Sequence, residues 1–123
     1  MSKRVLIVDD ALFMRTILRD IFTAAGWQIV AEAEDGKQAI TEYHTHLPDL
    51  VTMDLVMPEM GGVDALQKIL KNDPAARIVV CSAIGQKHLI MDAINAGAKD
   101  FIVKPFKHSQ VLEVVERAVM AAD

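Results

Sequence analysis

A single cysteine, Cys81, occurs in the 123 residues, so no internal disulfide can form. It lies inside the apolar run Ile78-Val79-Val80-Cys81, which marks it as a buried, inert thiol rather than a redox centre. Long apolar runs are missing too, and none approaches the roughly 20 residues that a membrane helix needs. Nor does the start read as a signal peptide. The basic Met1-Ser2-Lys3-Arg4 leads into an apolar run, Val5 to Val8, that stops at Asp9 and Asp10. A cytoplasmic protein without membrane association is therefore expected. Excess positive charge is also absent: 13 basic against 17 acidic residues give a net charge of −4, which disfavours a nucleic-acid partner. There is no linker or low-complexity tract, and Ala121-Ala122-Asp123 after the last helical stretch are too few for an output module.

What is present is apolar residue in short, regular doses. Hydrophobic types make up 52% of the chain, enough for one real core in a single domain spanning 1–123. Runs with strand character occur at Val5–Val8, Gln28–Ala33, Leu50–Met53, Arg77–Ser82 and Phe101–Val103. Longer stretches with helical spacing follow each of them. Met14, Ile17, Leu18 and Ile21 can share one helix face, and Val111, Val114, Val115 and Ala118 another. Turn signals at Gly26, Gly36, Pro48-Asp49, Gly61-Gly62, Asp73-Pro74 and Gly97 separate the segments. Apolar runs without alternation suit strands covered on both faces. The pattern predicts an α/β fold: a doubly wound, five-stranded parallel sheet with five helices, in the flavodoxin-like order.

In such sheets chemistry collects at the carboxyl ends of the strands. The first strand ends in Asp9-Asp10, the third in Asp54, the fourth in Ser82 and the fifth in Lys104-Pro105. Unit charges about 4 Å apart interact by roughly 4 kcal/mol at an effective dielectric near 20, so three packed carboxylates raise their pKa values or recruit a cation. Hard oxygen ligands without histidine or thiolate favour Mg²⁺ over zinc. With Lys104 as a second positive charge, the rim suits a phosphoryl group, and a carboxylate held there can itself be the nucleophile. A lone Asp at a strand end is usually a cap or turn former, as Asp49 after Pro48 is expected to be. Five polar residues closing four strands of one fold are not explained that way.

These residues carry a resemblance to the response-regulator receiver domain that runs from end to end. Val8-Asp9-Asp10, Met53-Asp54-Leu55-Val56-Met57-Pro58, Cys81-Ser82-Ala83 and Val103-Lys104-Pro105-Phe106 stand in the family's order and spacing. Phe13-Met14-Arg15 after the first acidic pair, and Ser82-Ala83-Ile84-Gly85-Gln86, are most similar to the chemotaxis receivers. The resemblance implies that Asp54 is the phosphoacceptor. It implies Mg²⁺ held by Asp10, Asp54 and the backbone carbonyl of Val56, with Asp9 acting partly through water. Lys104 would pair with the phosphoryl oxygens and Ser82 would move to hydrogen-bond them. Phe101 would turn inward in response, remodelling the face of the fourth helix, fifth strand and fifth helix. The Lys104–Pro105 peptide is expected to be cis, which the following proline permits.

Departures from the family pattern carry expectations of their own. Gly61 replaces the usual Asp before a glycine, so the loop from Met57 to Gly62 is expected to be looser. Phe101 lacks a tyrosine hydroxyl, leaving its switch to packing. Val56 and Ile84 cannot orient water and can shield an acyl phosphate, which predicts slow self-dephosphorylation and a separate phosphatase. The methionines Met14, Met53 and Met91 are expected to fill core gaps. His44, His46, His88 and His108 are expected on the surface.

Functionally, the resemblance implies a two-component signal-transduction regulator rather than an enzyme acting on other molecules. It would catalyse only its own phosphoryl transfer and slow dephosphorylation. A chemotaxis histidine kinase would supply the phosphoryl group, and a flagellar motor switch protein would bind the product. The alternative is a phosphorelay intermediate passing phosphate to a histidine phosphotransfer protein. A haloacid-dehalogenase-like phosphatase needs a second Asp two residues past the nucleophile, where this chain has Val56. A flavin or nucleotide module needs a phosphate loop after the first strand, where Asp9-Asp10-Ala11-Leu12 would repel phosphate. A monomer is the expected state, with the face between the fourth and fifth helices equally open to a dimer.

Overall fold

A computed structural model describes residues 3–120. Ten elements alternate among the described residues. The strands are β1 (Arg4–Val8), β2 (Gln28–Ala33), β3 (Leu50–Asp54), β4 (Ile78–Ser82) and β5 (Asp100–Val103). The helices are α1 (Leu12–Ala24), α2 (Gly36–His46), α3 (Gly62–Asn72), α4 (Lys87–Ala96) and α5 (His108–Met120). All strand pairings are parallel, in the order β2-β1-β3-β4-β5. This is the expected five-stranded flavodoxin-like sheet, with its switch point between β1 and β3.

The unalternating apolar runs fold as strands because each strand face has its own layer to enter. Leu6, Val8, Val51, Met53, Ile78 and Val80 pack with Ala39, Tyr43, Leu66, Ile69 and Ala93 of α2, α3 and α4. Val5, Ile7, Leu50, Val79 and Ile102 pack on the other side with Leu18, Ile21 and Phe22 of α1 and with Val111, Val114, Val115 and Ala118 of α5. The predicted faces of α1 and α5 are thus the faces that bury, apart from half-buried Met14 and Ile17. Phe22 and Trp27 meet edge to face at 5.4 Å, closing the lower end of the α1 layer.

Of the methionines, Met53 is fully buried as expected, whereas Met91 is not: it is 51% exposed. The reason is helical phase. Ala93 is the one fully buried residue of α4, and a residue two positions away points to a different face. Asp49 stands at the bend before β3, and its Oδ2 also accepts the Arg4 N–H at 3.0 Å where β1 begins. The loop before α3 is held by backbone bonds despite Gly61. Gly36 N–H donates to the Met60 carbonyl at 3.0 Å and Gly62 N–H to the Leu55 carbonyl at 3.1 Å. At Gly62 no side chain fits, because a Cβ would lie 2.2 Å from the Asp54 carbonyl oxygen.

Candidate functional site

Strand register brings the polar residues to one rim. Val8 pairs with Met53, Asp54 with Cys81, and Ser82 with Val103, so Asp9, Asp54, Ser82 and Lys104 stand at adjacent carboxyl ends. Backbone bonds fix the turns that follow: Asp9 N–H donates to the Ala33 carbonyl, Leu55 N–H to Cys81 and Lys104 N–H to Ser82. The Lys104–Pro105 peptide is cis, as expected.

Asp9 and Asp54 are buried and Asp10 is exposed, and each offers a carboxylate oxygen within 4.8 Å of the other two. Asp9 Oδ1 accepts the Ala11 N–H at 2.9 Å, which spends one oxygen on opening α1. Its Oδ2 lies 2.9 Å from the Lys104 ammonium, a close ion pair. Lys104 Nζ also lies 3.4 Å from Asp54 Oδ1. One ammonium therefore serves two buried carboxylates with a third at the mouth. That surplus of negative charge, all on hard oxygens, fits a small divalent cation.

The electrostatics follow from this crowding. Burial, reinforced by Asp9 and opposed by Lys104, pushes the Asp54 carboxyl up to about 6. For Lys104 burial works against the charged form, but the carboxylates of Asp9 and Asp54 outweigh it and hold the ammonium's pKa above its ordinary value. Cys81 is fully enclosed, and burial together with the Asp54 charge drives its thiol pKa upward, consistent with an inert cysteine.

Ser82 is buried, and its hydroxyl donates to Gln86 Oε1 at 2.9 Å. Phe101 is 41% exposed and so stands outward in this state. Val56 and Ile84 are exposed beside the rim. All four histidines lie outside the site; His44, His88 and His108 are exposed, and His46 pairs with Glu42 on α2.

Sequence reasoning gave no role to Arg15 or Gln86. Arg15 is only 7% exposed and donates from a terminal guanidinium nitrogen to the Asp9 carbonyl at 2.7 Å. Its Nε bonds Glu32 at 2.9 Å, and Arg19 completes the pair to Glu32. The acidic corner thus rests on a buried guanidinium. A basic residue in the second turn of an otherwise apolar helix face was the available signal.

The response regulator receiver domain family matches residues 5–116, and the chain belongs to it. Within that class its similarity runs to chemotaxis proteins. It is 56% identical over 117 residues to the chemotaxis protein CheY of Thermotoga maritima, covering 95% of this chain and 98% of that one. It is 55% identical over 119 residues to CheY of Bacillus subtilis, covering 97% and 99%. Among solved structures, the CheX-CheY-BeF3-Mg complex of Borrelia burgdorferi superposes with a TM-score of 0.91 at 40% identity, covering 98% of this chain and 90% of that one. The chain is a CheY-like receiver. Among the described residues no helix is long and apolar enough to cross a membrane.

Proposed function

We propose that the chain, acting as one receiver domain over 1–123, is a chemotaxis response regulator that accepts a phosphoryl group on Asp54. The observation that carries this reading is the grouping of Asp54 with Asp9 and Asp10 beside the Lys104 ammonium at the rim of the sheet. A carboxyl with a pKa of about 6 is mostly ionised at neutral pH, so it is available as a nucleophile. A carboxylate oxygen attacks the phosphorus of a phosphohistidine. The P–N bond breaks, the departing ring nitrogen keeps the electron pair, and Asp54 becomes an acyl phosphate. Lys104 neutralises charge on the transferring oxygens without giving up its proton, since its neighbours hold it protonated. Asp9, Asp10, Asp54 and the Val56 carbonyl would hold Mg²⁺, whose chemistry there is neutralisation of the phosphoryl oxygens.

After transfer, Ser82 turns to the phosphoryl group and Phe101 moves inward. The α4–β5–α5 face then takes the form that binds a flagellar motor switch protein. The donor is a histidine kinase of the chemotaxis type, and the protein works in the cytoplasm. Val56 and Ile84 present no hydrogen-bonding group to water beside Asp54, so self-dephosphorylation is slow and a separate phosphatase ends the signal. The Borrelia neighbour is a complex of CheY with CheX, which supports a CheX-like protein among the partners.

Treatment with acetyl phosphate and Mg²⁺ followed by intact-mass spectrometry tests the reading. One phosphoryl addition, abolished by Asp54→Ala, is expected. No addition, or one that survives the substitution, would overturn it.

A further inference from the structure

One side chain at the corner after β4 has no part in the phosphorylation chemistry above. Gln86 is the N-cap residue of α4, yet its side chain makes no bond to the helix. It turns back toward β4 instead. Its Oε1 accepts the Ser82 hydroxyl at 2.9 Å and the Ala83 backbone N–H at 2.9 Å. The other acceptor near the Ser82 hydroxyl is the Ala83 carbonyl, at 3.2 Å. A single uncharged oxygen therefore engages two donors that open onto the rim. A phosphoryl oxygen would ask for the same pair, with the advantage of charge.

We propose that Gln86 is a latch: its amide oxygen occupies Ser82 in the resting state and must be displaced before Ser82 can engage an acyl phosphate on Asp54. The inference rests on the phosphorylation reading given above. It makes Gln86 a positioning residue that sets the resting bias of the switch. The surrounding loop is able to release it. Ile84 is 81% exposed, and Gly85 has φ +93° with open space where a Cβ would stand. The backbone carbonyl of Gln86 accepts the N–H groups of Leu89 and Ile90, so movement of this residue carries the first turn of α4. That helix buries only Ala93 fully, with Leu89, Ile90 and Ala96 partly buried against the core, so its first turn is free of any fully buried anchor. Release at Ser82 is thereby linked to displacement at the start of α4 by one residue whose side chain serves the first and whose backbone serves the second.

The test uses the full chain with Mg²⁺ and beryllofluoride, a non-covalent mimic of the phosphoryl group, titrated by calorimetry. Gln86→Met keeps length and volume but removes the acceptor; Gln86→Ala is the second variant should the first pack poorly. A hydrogen bond is worth about 1 kcal/mol net, so each variant is expected to bind about three- to tenfold more tightly than the parent chain. In a Ser82→Ala background most of that gain should vanish. A residue that merely supported the loop would weaken binding, and would do so whether or not Ser82 was present. Unchanged or weaker binding in both variants, or an equal gain with Ser82→Ala, overturns the latch while leaving the phosphorylation reading intact. Failure of the parent chain to bind, or binding that survives Asp54→Asn, overturns the phosphorylation reading and the latch with it.

Discussion

Asp54→Asn should stabilise the metal-free protein at alkaline pH. Burial and the Asp9 charge raise the Asp54 carboxyl from 3.8 to about 6. Folding therefore favours its protonated form. Below pH 3.8 the group is neutral in both folded and unfolded chains and costs nothing. As pH rises toward and through 6, the folded chain must hold a charge that the unfolded chain solvates freely, and stability is lost. The shift corresponds to about 3 kcal/mol at 1.36 kcal/mol per pKa unit. Asparagine keeps the shape and removes the charge, and Lys104 keeps Asp9 as its partner at 2.9 Å, so no buried cation is orphaned. Urea denaturation in EDTA should give the variant about 3 kcal/mol more stability at pH 8 and almost no advantage near pH 4, with a melting temperature about 10 °C higher at pH 8. A variant no more stable than the parent at pH 8, or an advantage independent of pH, would refute the electrostatic account of the site.

Three further outcomes follow from particular contacts. Tyr43→Phe removes the 2.6 Å bond from the phenol to Asp73 and should cost about 1.5–3 kcal/mol in urea denaturation. Burial, with Asp73 adding to it, raises the Tyr43 pKa above 10.0, so that contribution is complete below pH 10 and is lost as pH climbs through the folded value; a variant as stable as the parent at pH 8 would contradict this. Gly62→Ala drives a Cβ to 2.2 Å from the Asp54 carbonyl oxygen and should destabilise by about 1–3 kcal/mol, seen as a lower melting temperature, while Gly26→Ala is strained only by its positive φ and meets nothing within 4 Å. Val56→Asn with Ile84→Glu should shorten the lifetime of phosphorylated protein in Mg²⁺, followed by loss of the phosphoprotein mass; an unchanged lifetime would remove the shielding argument.

The sequence by itself determined the layers and the rim. Run length and turn signals sufficed to place all five strands within a residue or so of their observed ends, and for β1, β3 and β4 the reason is that a strand buried on both faces leaves an unalternating apolar signature. The polar residues that close those runs, Asp9, Asp54, Ser82 and Lys104, were legible for the same reason, since each is defined by where its strand stops. Helix α4 was less so. Its single buried residue leaves no strong apolar stripe, and Met91 was assigned to a core that its helical phase denies it.

Only the tertiary structure decided who partners whom at the rim. Register and sheet order set Lys104 at 2.9 Å from Asp9 but 3.4 Å from Asp54, a difference that residue identity does not encode. The same holds for Arg15 beneath Asp9 and for Gln86 on Ser82. Both are long polar side chains with several open directions: Arg15 is fixed by the Asp9 carbonyl after β1 and by Glu32 of β2, and Gln86 by the turn after β4 that folds it back on Ser82 and Ala83.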